Sequence, residues 1–257
     1  MSNGRRRFIK AVGDPTDPSG LLAFMERYLD ALQLKHYTEQ TVWNNERFIR
    51  DFIEWCDVRS LRTPQEITKP ILEAYQRHLY YYRMSNGKPL SIYSQHAKLG
   101  PLRGWFKWLT KQNYLLYNPA SELEMPKMGR RLPKTILTAA EVDRVMAQVD
   151  ITKPIGVRDR AMLEVLYSTG IRRMELMNLS LFDVDVERGT LLVREGKGRK
   201  DRILPIGERA CLWVGRYMND VRPDYLLNNN ENTLFLTRLG EPFADAWLSR
   251  TVAQYIE

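Results

Sequence analysis

The sequence predicts a mainly α-helical protein with a small antiparallel sheet, divided into two domains. Three observations support this fold class. Apolar residues recur at three- and four-residue steps from about residue 18 to residue 113, which is the period of amphipathic helices. A segment rich in Pro, Gly and basic residues, 118–137, interrupts that pattern. Short β-like runs follow between residues 181 and 206, around a Gly-containing turn typical of a hairpin.

Four segments are expected from these composition changes. Residues 1–16 are polar, with basic residues, and are expected to form a flexible basic arm. Residues 17–117 are expected to form a helical bundle, and residues 118–137 a positively charged linker. The remaining residues, 138–257, combine helical and strand-like patterns and are expected to form an α+β domain.

Start and stop signals divide the bundle into four helices. The first begins near Pro18, the second follows Thr38 as N-cap, and the third begins at Thr68. The fourth extends from about Leu90 to Asn113. Three consecutive tyrosines, 80–82, close the third helix, and we interpret them mostly as core and boundary residues.

The second domain begins with a capping box, in which Thr138 and Glu141 stand three residues apart before an apolar-periodic run. The next helix begins near Val157 and is expected to end at Gly170. The later elements alternate between strand-like and helical patterns. They are β-like runs at Leu181–Val186, Leu191–Arg194 and Arg202–Ile206, a helix at Glu208–Val221, a short strand at Leu234–Leu236 and a helix at Asp245–Ile256.

Composition narrows the class of partner. The 257 residues carry a formal net charge of +8, which favours an anionic partner, with nucleic acid first, although a merely basic soluble protein has the same balance. The two cysteines, Cys56 and Cys211, lack the spacing of a disulfide framework or a zinc site, and they fit a reducing compartment. The sequence contains no apolar run of membrane-spanning length and no apolar signal core, so the expected location is the cytoplasm, with no membrane partner.

Two cations in the second domain stand at positions that favour phosphate chemistry. Arg172 follows Thr-Gly-Ile and opens a helix, and Lys197 lies in the Gly-flanked turn of the hairpin. A guanidinium can bind a phosphate through two parallel hydrogen bonds. A lysine on a tight turn can approach the same phosphate as a charge or a proton donor.

Two motifs in this order resemble the tyrosine recombinases, or phage-type integrases, and most closely their Xer-like branch. The first is R-D-R-A-M-L-E-V-L-Y-S-T-G-I-R-R-M-E-L at Arg158–Leu176, and the second is G-K-G-R-K-D-R-I-L-P-I at Gly196–Ile206. The resemblance covers nearly the whole chain. It implies an N-terminal core-binding (SAM-like) helical bundle followed by an α+β catalytic domain, which would be incomplete in this chain.

The resemblance also implies roles for individual residues. Arg172 matches the first catalytic arginine and would bind the scissile phosphate, and Glu175 matches the carboxylate that holds its guanidinium. Lys197 matches the hairpin lysine that would protonate the leaving 5′-oxygen. The alternatives are a surface ion pair between Arg172 and Glu175 and an exposed turn lysine at 197. Further cations are candidates for backbone contacts with DNA, although single members also fit a solvated helix face or tether. They are Lys98, Arg103, Lys107, Arg130, Arg131, Arg173, Lys200 and Arg202.

The family chemistry implied by the resemblance needs no metal or other cofactor, because a tyrosine hydroxyl cleaves one strand and the phosphodiester energy is kept in a 3′-phosphotyrosyl bond. The implied partner is double-stranded DNA at a recombination core site. The implied full-length assembly is a homo- or hetero-tetramer on two duplexes.

The family's later motifs, a His-x-x-Arg helix and then the nucleophilic tyrosine, have no counterpart in this sequence. The three histidines are at 36, 78 and 96, all before Arg172. Tyr255 lies in a helical pattern and is expected to be a core or interface residue. The sequence therefore indicates a recombinase truncated before its nucleophile, or a non-catalytic homologue that occupies recombination sites. A basic helical regulator with a coincidental resemblance is a third reading.

Overall fold

The computed structural model describes residues 11–129, 136–196, 200–243 and 247–256. Two compact units make up the chain, Met1–Leu132 and Pro133–Glu257. Within the described ranges, none of the helices is both long enough and apolar enough to cross a membrane. The candidate site residues Arg130, Arg131 and Lys197 lie outside the described residues.

Four helices form the N-terminal unit, as the sequence predicts. They are α1 (Leu21–Leu34), α2 (Glu39–Asp57), α3 (Lys69–Tyr81) and α4 (Ile92–Lys111). Thr38 caps α2, because its hydroxyl accepts a hydrogen bond from the backbone N–H of Thr41. The centre of the core consists of large side chains with no exposed surface, among them Phe52 of α2 and Trp105 of α4.

The core of this unit extends beyond the four helices. Val12 and Gly13 belong to the expected flexible arm, yet they are attached to the bundle. Val12 is buried against the core, and the N–H of Gly13 donates to the Asp57 carboxylate at 2.8 Å. Ala120 and Leu123, from the first part of the expected linker, are buried in the same core. The described ends of both segments therefore pack on the bundle.

The interpretation of the three consecutive tyrosines as core and boundary residues is wrong. Tyr80, Tyr81 and Tyr82 have exposed fractions of 62, 69 and 46 %. The buried face of α3 ends at Leu79, and Tyr80 and Tyr81 are rotated away from it by roughly 100° per residue. Tyr82 is already outside the helix, with an extended backbone.

Helices also make up most of the C-terminal unit. They are α5 (Ala139–Ala147), α6 (Pro154–Thr169), α7 (Arg173–Met177), α8 (Glu208–Asp220), α9 (Arg222–Tyr225) and α10 (Trp247–Ile256). The predicted capping box at α5 is present, since Thr138 and Glu141 satisfy each other's backbone N–H groups. The predicted end of α6 is also observed, with Gly170 in the left-handed conformation at φ 62°.

One antiparallel sheet has the order β1 (Val184–Asp185), β2 (Thr190–Gly196) and β3 (Lys200–Pro205). The predicted hairpin of β2 and β3 is present. The predicted strand at Leu181–Val186 is mostly wrong, because Leu181–Asp183 forms a 3₁₀ turn. The Asp183 carboxylate accepts the N–H of Ser180, and the Ser180 hydroxyl accepts the N–H of Phe182, so local side-chain bonds favour the turn.

The run Leu234–Leu236 is buried, but within the described ranges it does not form the predicted strand. Its backbone is held by two isolated bridges, Ser180 to Thr233 and Leu236 to Pro242. The buried Tyr217 hydroxyl accepts the N–H of Leu236 at 3.0 Å. The run is apolar because it crosses the core of the unit, and apolarity alone does not distinguish such a crossing from a strand.

Candidate active site: two arginines on one carboxylate

The short connection between α6 and α7 leaves Arg172 exposed to solvent. Gly170 ends α6, and its N–H bonds to the carbonyl of Leu166 at 2.9 Å. Ile171 is buried, and the next residue, Arg172, has an extended backbone as the N-cap of α7. Leu176 anchors α7 in the core. The Arg172 side chain therefore starts from a fixed backbone, yet 58 % of it is exposed.

Glu175 binds Arg172 in two ways. Its Oε2 accepts the backbone N–H of Arg172 at 2.8 Å, and its Oε1 accepts Nη1 of the Arg172 guanidinium at 2.9 Å. Most of the Glu175 side chain is buried, with 9 % of it exposed. A buried carboxylate of this kind holds the arginine while leaving most of the guanidinium in solvent.

Arg202, on β3, binds the same carboxylate. Its Nη2 donates to Oε2 of Glu175 at 2.6 Å, and its Nη1 donates to Oε1 at 3.1 Å. This is the two-pronged geometry in which guanidinium–carboxylate pairs are strongest. The bond joins residues 27 positions apart in sequence and connects the hairpin to α7.

The hydrogen bonds from Arg202 are the largest cause that lowers the pKa of Glu175. Together with those from Arg172 they lower it to about 2, against an opposing effect of burial. The same contact raises the pKa of Arg202 above its ordinary value. Glu175 is therefore ionised at neutral pH. The three side chains together carry one net positive charge, and the more exposed of the two guanidinium groups is that of Arg172.

The structure locates the remaining predicted site residues as follows. Arg173 begins α7 and Lys200 begins β3, and both are exposed. Arg103 and Lys107 are exposed on α4 of the other unit. Lys98, also on α4, forms an ion pair with Asp51.

Arg158 and Asp159 form a buried pair that the sequence interpretation missed. Both side chains are almost fully buried, with 2 and 4 % exposed. Asp159 Oδ1 accepts Nε and Nη2 of Arg158 at 2.9 and 2.7 Å. The Arg158 guanidinium carbon lies 4.8 and 4.6 Å from the ring centres of Phe243 and Trp247, which stack on each other, and the guanidinium donates to the backbone carbonyl of Leu236 at 3.0 Å. The sequence does contain a signal for this pair: an Arg and an Asp stand side by side in a helix that is otherwise rich in apolar residues.

Tyr255 joins this pair. Its hydroxyl donates to Oδ2 of Asp159 at 2.9 Å. Burial, and then the Asp159 charge, raise the pKa of Tyr255 to about 12. Tyr255 is therefore a partly buried residue that helps to hold α10, as the sequence predicts. Within the described ranges, no group of three or more His, Cys, Asp or Glu side chains could hold a metal ion.

The fold and the site together define a chain of the integrase type. Residues 135–257 match the profile described as the phage integrase family, and residues 24–115 match that of the phage integrase N-terminal SAM-like domain. The chain belongs to the phage integrase family, the tyrosine recombinases. This assignment excludes the third interpretation, in which the chain is a basic helical regulator with a coincidental resemblance to the family.

Individual relatives agree with this assignment. The chain is 47 % identical over 248 residues to tyrosine recombinase XerC 2 of Ralstonia nicotianae, covering 96 % of this chain and 71 % of that protein. It is 35 % identical to tyrosine recombinase XerD of Pseudomonas putida, covering 84 % of this chain and 70 % of that protein. A lambda integrase tetramer bound to a Holliday junction shares the fold, with a TM-score of 0.66, 17 % identity, and coverage of 95 % of this chain and 64 % of that chain.

Proposed function

We propose that this chain acts in site-specific DNA recombination and binds a duplex core site through both of its units. The observation that carries the proposal is the exposed Arg172 guanidinium, which the mostly buried Glu175 side chain holds through a hydrogen bond. Such an arginine can donate two hydrogen bonds to the non-bridging oxygens of one phosphate. The sequence similarity to tyrosine recombinases XerC 2 and XerD supports the same role.

In the proposed reaction a tyrosine hydroxyl attacks the scissile phosphorus and loses its proton. A 3′-phosphotyrosyl bond forms, the bond to the 5′-oxygen breaks, and that oxygen takes up a proton. Arg172 stabilises the negative charge on the non-bridging oxygens, and Lys197 supplies the proton. A 5′-hydroxyl from a second duplex then attacks the phosphotyrosine and releases the tyrosine. The full assembly is a tetramer on two duplexes, a proposal that the lambda integrase tetramer supports.

A second candidate function is site occupancy without cleavage by this polypeptide. The tyrosines after Arg172 favour it. The hydroxyl of Tyr217 is buried and hydrogen-bonded to Leu236, and the hydroxyl of Tyr255 is bonded to Asp159. Tyr225 packs partly buried against the core. No histidine follows Arg172 or Lys197 in this sequence, since the last histidine is His96.

The test begins with selection of bound sites from a random-sequence duplex pool, followed by footprinting. Phosphates in the protected region are then replaced one at a time by neutral methylphosphonates. We expect one position at which the replacement weakens binding of the wild type about tenfold, the effect of a charge-assisted hydrogen bond. Arg172→Ala should be insensitive at that position and should lower the salt slope by about one.

Arg188→Ala is the matched control, because Arg188 is an exposed arginine of the same unit that pairs with Asp185 instead. It should keep the sensitivity to the methylphosphonate. Binding without sequence preference, or without any position that depends on Arg172, would contradict the proposal. A nicked suicide substrate separates the two candidate functions. A covalent protein–DNA band on a denaturing gel would establish cleavage by this polypeptide. Loss of that band in Tyr255→Phe would identify Tyr255 as the nucleophile.

A further inference from the structure

Arg202 and Arg172 share Glu175 unequally. Arg202 reaches both carboxylate oxygens with its two terminal nitrogens, at 2.6 and 3.1 Å. The Arg172 guanidinium reaches only one oxygen, through Nη1 at 2.9 Å. The exposed fractions follow the same order, because 34 % of the Arg202 side chain is exposed and 58 % of the Arg172 side chain. The more buried arginine therefore takes the larger part of the carboxylate.

This division has an electrostatic consequence for Arg172. Alone with Glu175, Arg172 would face a full negative charge on its own helical turn, and the pair would have no net charge to offer an anion. The carboxylate would also be able to turn and form a two-pronged pair with Arg172, which is the preferred geometry of such pairs. Arg202 cancels the charge of Glu175 and occupies the lone pairs that this rearrangement would use.

We propose that Arg202 is a positioning residue: by occupying both oxygens of Glu175, it keeps the carboxylate from neutralising Arg172, so that Arg172 remains available to a DNA phosphate. This inference rests on the proposed function. It replaces a direct contact between Arg202 and the DNA backbone, the role that the sequence favours. Both terminal nitrogens of Arg202 donate to Glu175, and that carboxylate balances the charge of Arg202, so its attraction for a phosphate is weaker than that of the more exposed Arg172.

The test uses the full chain and the methylphosphonate duplex at the position that depends on Arg172. The quantity measured is the ratio of the dissociation constants for the modified and unmodified duplexes. Four proteins complete a cycle: wild type, Arg202→Ala, Glu175→Gln and the double variant. Arg194→Ala is the matched control, because Arg194 lies on the neighbouring strand and forms an equally short ion pair, with Asp183 at 2.6 Å. Thermal unfolding of each variant identifies any loss of folding.

We expect a ratio of about tenfold for the wild type and the control, and about twofold for Arg202→Ala. Adding Glu175→Gln to Arg202→Ala should restore most of the ratio, because it removes the uncompensated negative charge. A merely structural role would not produce this rescue, since the second substitution removes another contact. Should Arg202→Ala fail to fold, Arg202→Lys keeps the charge with a single-point contact and should give an intermediate ratio.

An unchanged ratio in Arg202→Ala would overturn the inference, and so would a lowered ratio that Glu175→Gln does not restore. A second phosphate whose replacement affects the wild type but not Arg202→Ala would overturn it as well, and would establish direct contact. In all three cases the Arg172-dependent phosphate remains, so the proposed function stands. If no phosphate depends on Arg172, the proposed function fails and the inference fails with it.

Discussion

Replacing Asp159 by Asn should strongly destabilise the C-terminal unit. Asp159 accepts two hydrogen bonds from Arg158 and one from Tyr255, and both members of the ion pair are nearly fully buried. The substitution removes the only carboxylate that contacts Arg158 among the described residues. Arg158 would then remain charged inside the core, with its carbonyl bond and the two aromatic rings as its remaining partners.

The size of the effect follows from this burial. Removing one partner of a buried ion pair costs about 3–5 kcal/mol, because it leaves an uncompensated charge. The Asn oxygen can still accept one bond from Arg158, so we expect a loss near the lower end, about 3 kcal/mol. For a unit of this size, such a loss lowers Tm by roughly 10 °C. Tyr255→Phe, which removes a single hydrogen bond to the same carboxylate, should cost about 1–2 kcal/mol.

Urea unfolding and differential scanning calorimetry measure these losses. Asp220→Asn is the control, since its carboxylate is 65 % exposed and lies 4.0 Å from Arg216, and an exposed pair of this kind is worth at most about 1 kcal/mol. A double-mutant cycle between Asp159→Asn and Tyr255→Phe should give a clear coupling energy, because the two side chains touch. A Tm for Asp159→Asn close to that of the wild type would refute the reasoning.

Two further predictions concern stability. Gly156→Ala should destabilise the C-terminal unit by about 2 kcal/mol or more in urea unfolding, because an added Cβ would lie 1.9 Å from the backbone carbonyl oxygen of Asp150. Gly215→Ala is the control: an added Cβ there would have no atom within 4 Å and should stabilise the unit by about 0.5–1 kcal/mol. Equal effects of the two substitutions would contradict the packing argument. The stability difference between wild type and Glu175→Gln should be largest above the ordinary glutamate pKa of 4.5 and decline as the pH falls through the folded-state pKa of about 2, because that pKa is lowered mainly by the hydrogen bonds of Arg202. A difference that is constant from pH 5 to pH 2 would show that folding does not lower the pKa of Glu175.

Local signals account for the predictions that are confirmed. The Thr138–Glu141 capping box, the Thr38 cap and the Gly170 terminus each depend on a few neighbouring residues, whose bonding is decided within one turn of chain. The hairpin of β2 and β3 follows in the same way from two β-like runs around a Gly-containing turn. The family motifs identified Arg172 and Glu175, which lie within one turn and do bond to each other.

The errors arose where distant residues decide the outcome. Tyr80 and Tyr81 continue a helical pattern, but the packing of α3 ends at Leu79, so the rings are exposed. The run Leu234–Leu236 has the composition of a strand, yet it crosses the core with only isolated bridges at its ends. Burial depends on which elements pack together, and a periodic pattern does not specify that.

The order and most of the bounds of the helices, the hairpin and the identity of the exposed arginine can be predicted from local patterns, because these features depend on interactions between near neighbours. What surrounds that arginine depends on how the elements pack in three dimensions. Arg202 binds Glu175 because β3 packs beside α7, across 27 residues of chain. Arg158, Asp159 and Tyr255 meet because α10 packs on the same core as α6. Such contacts bring together residues far apart in the chain, and their free energy comes from burial and charge pairing that exist only once the elements have packed.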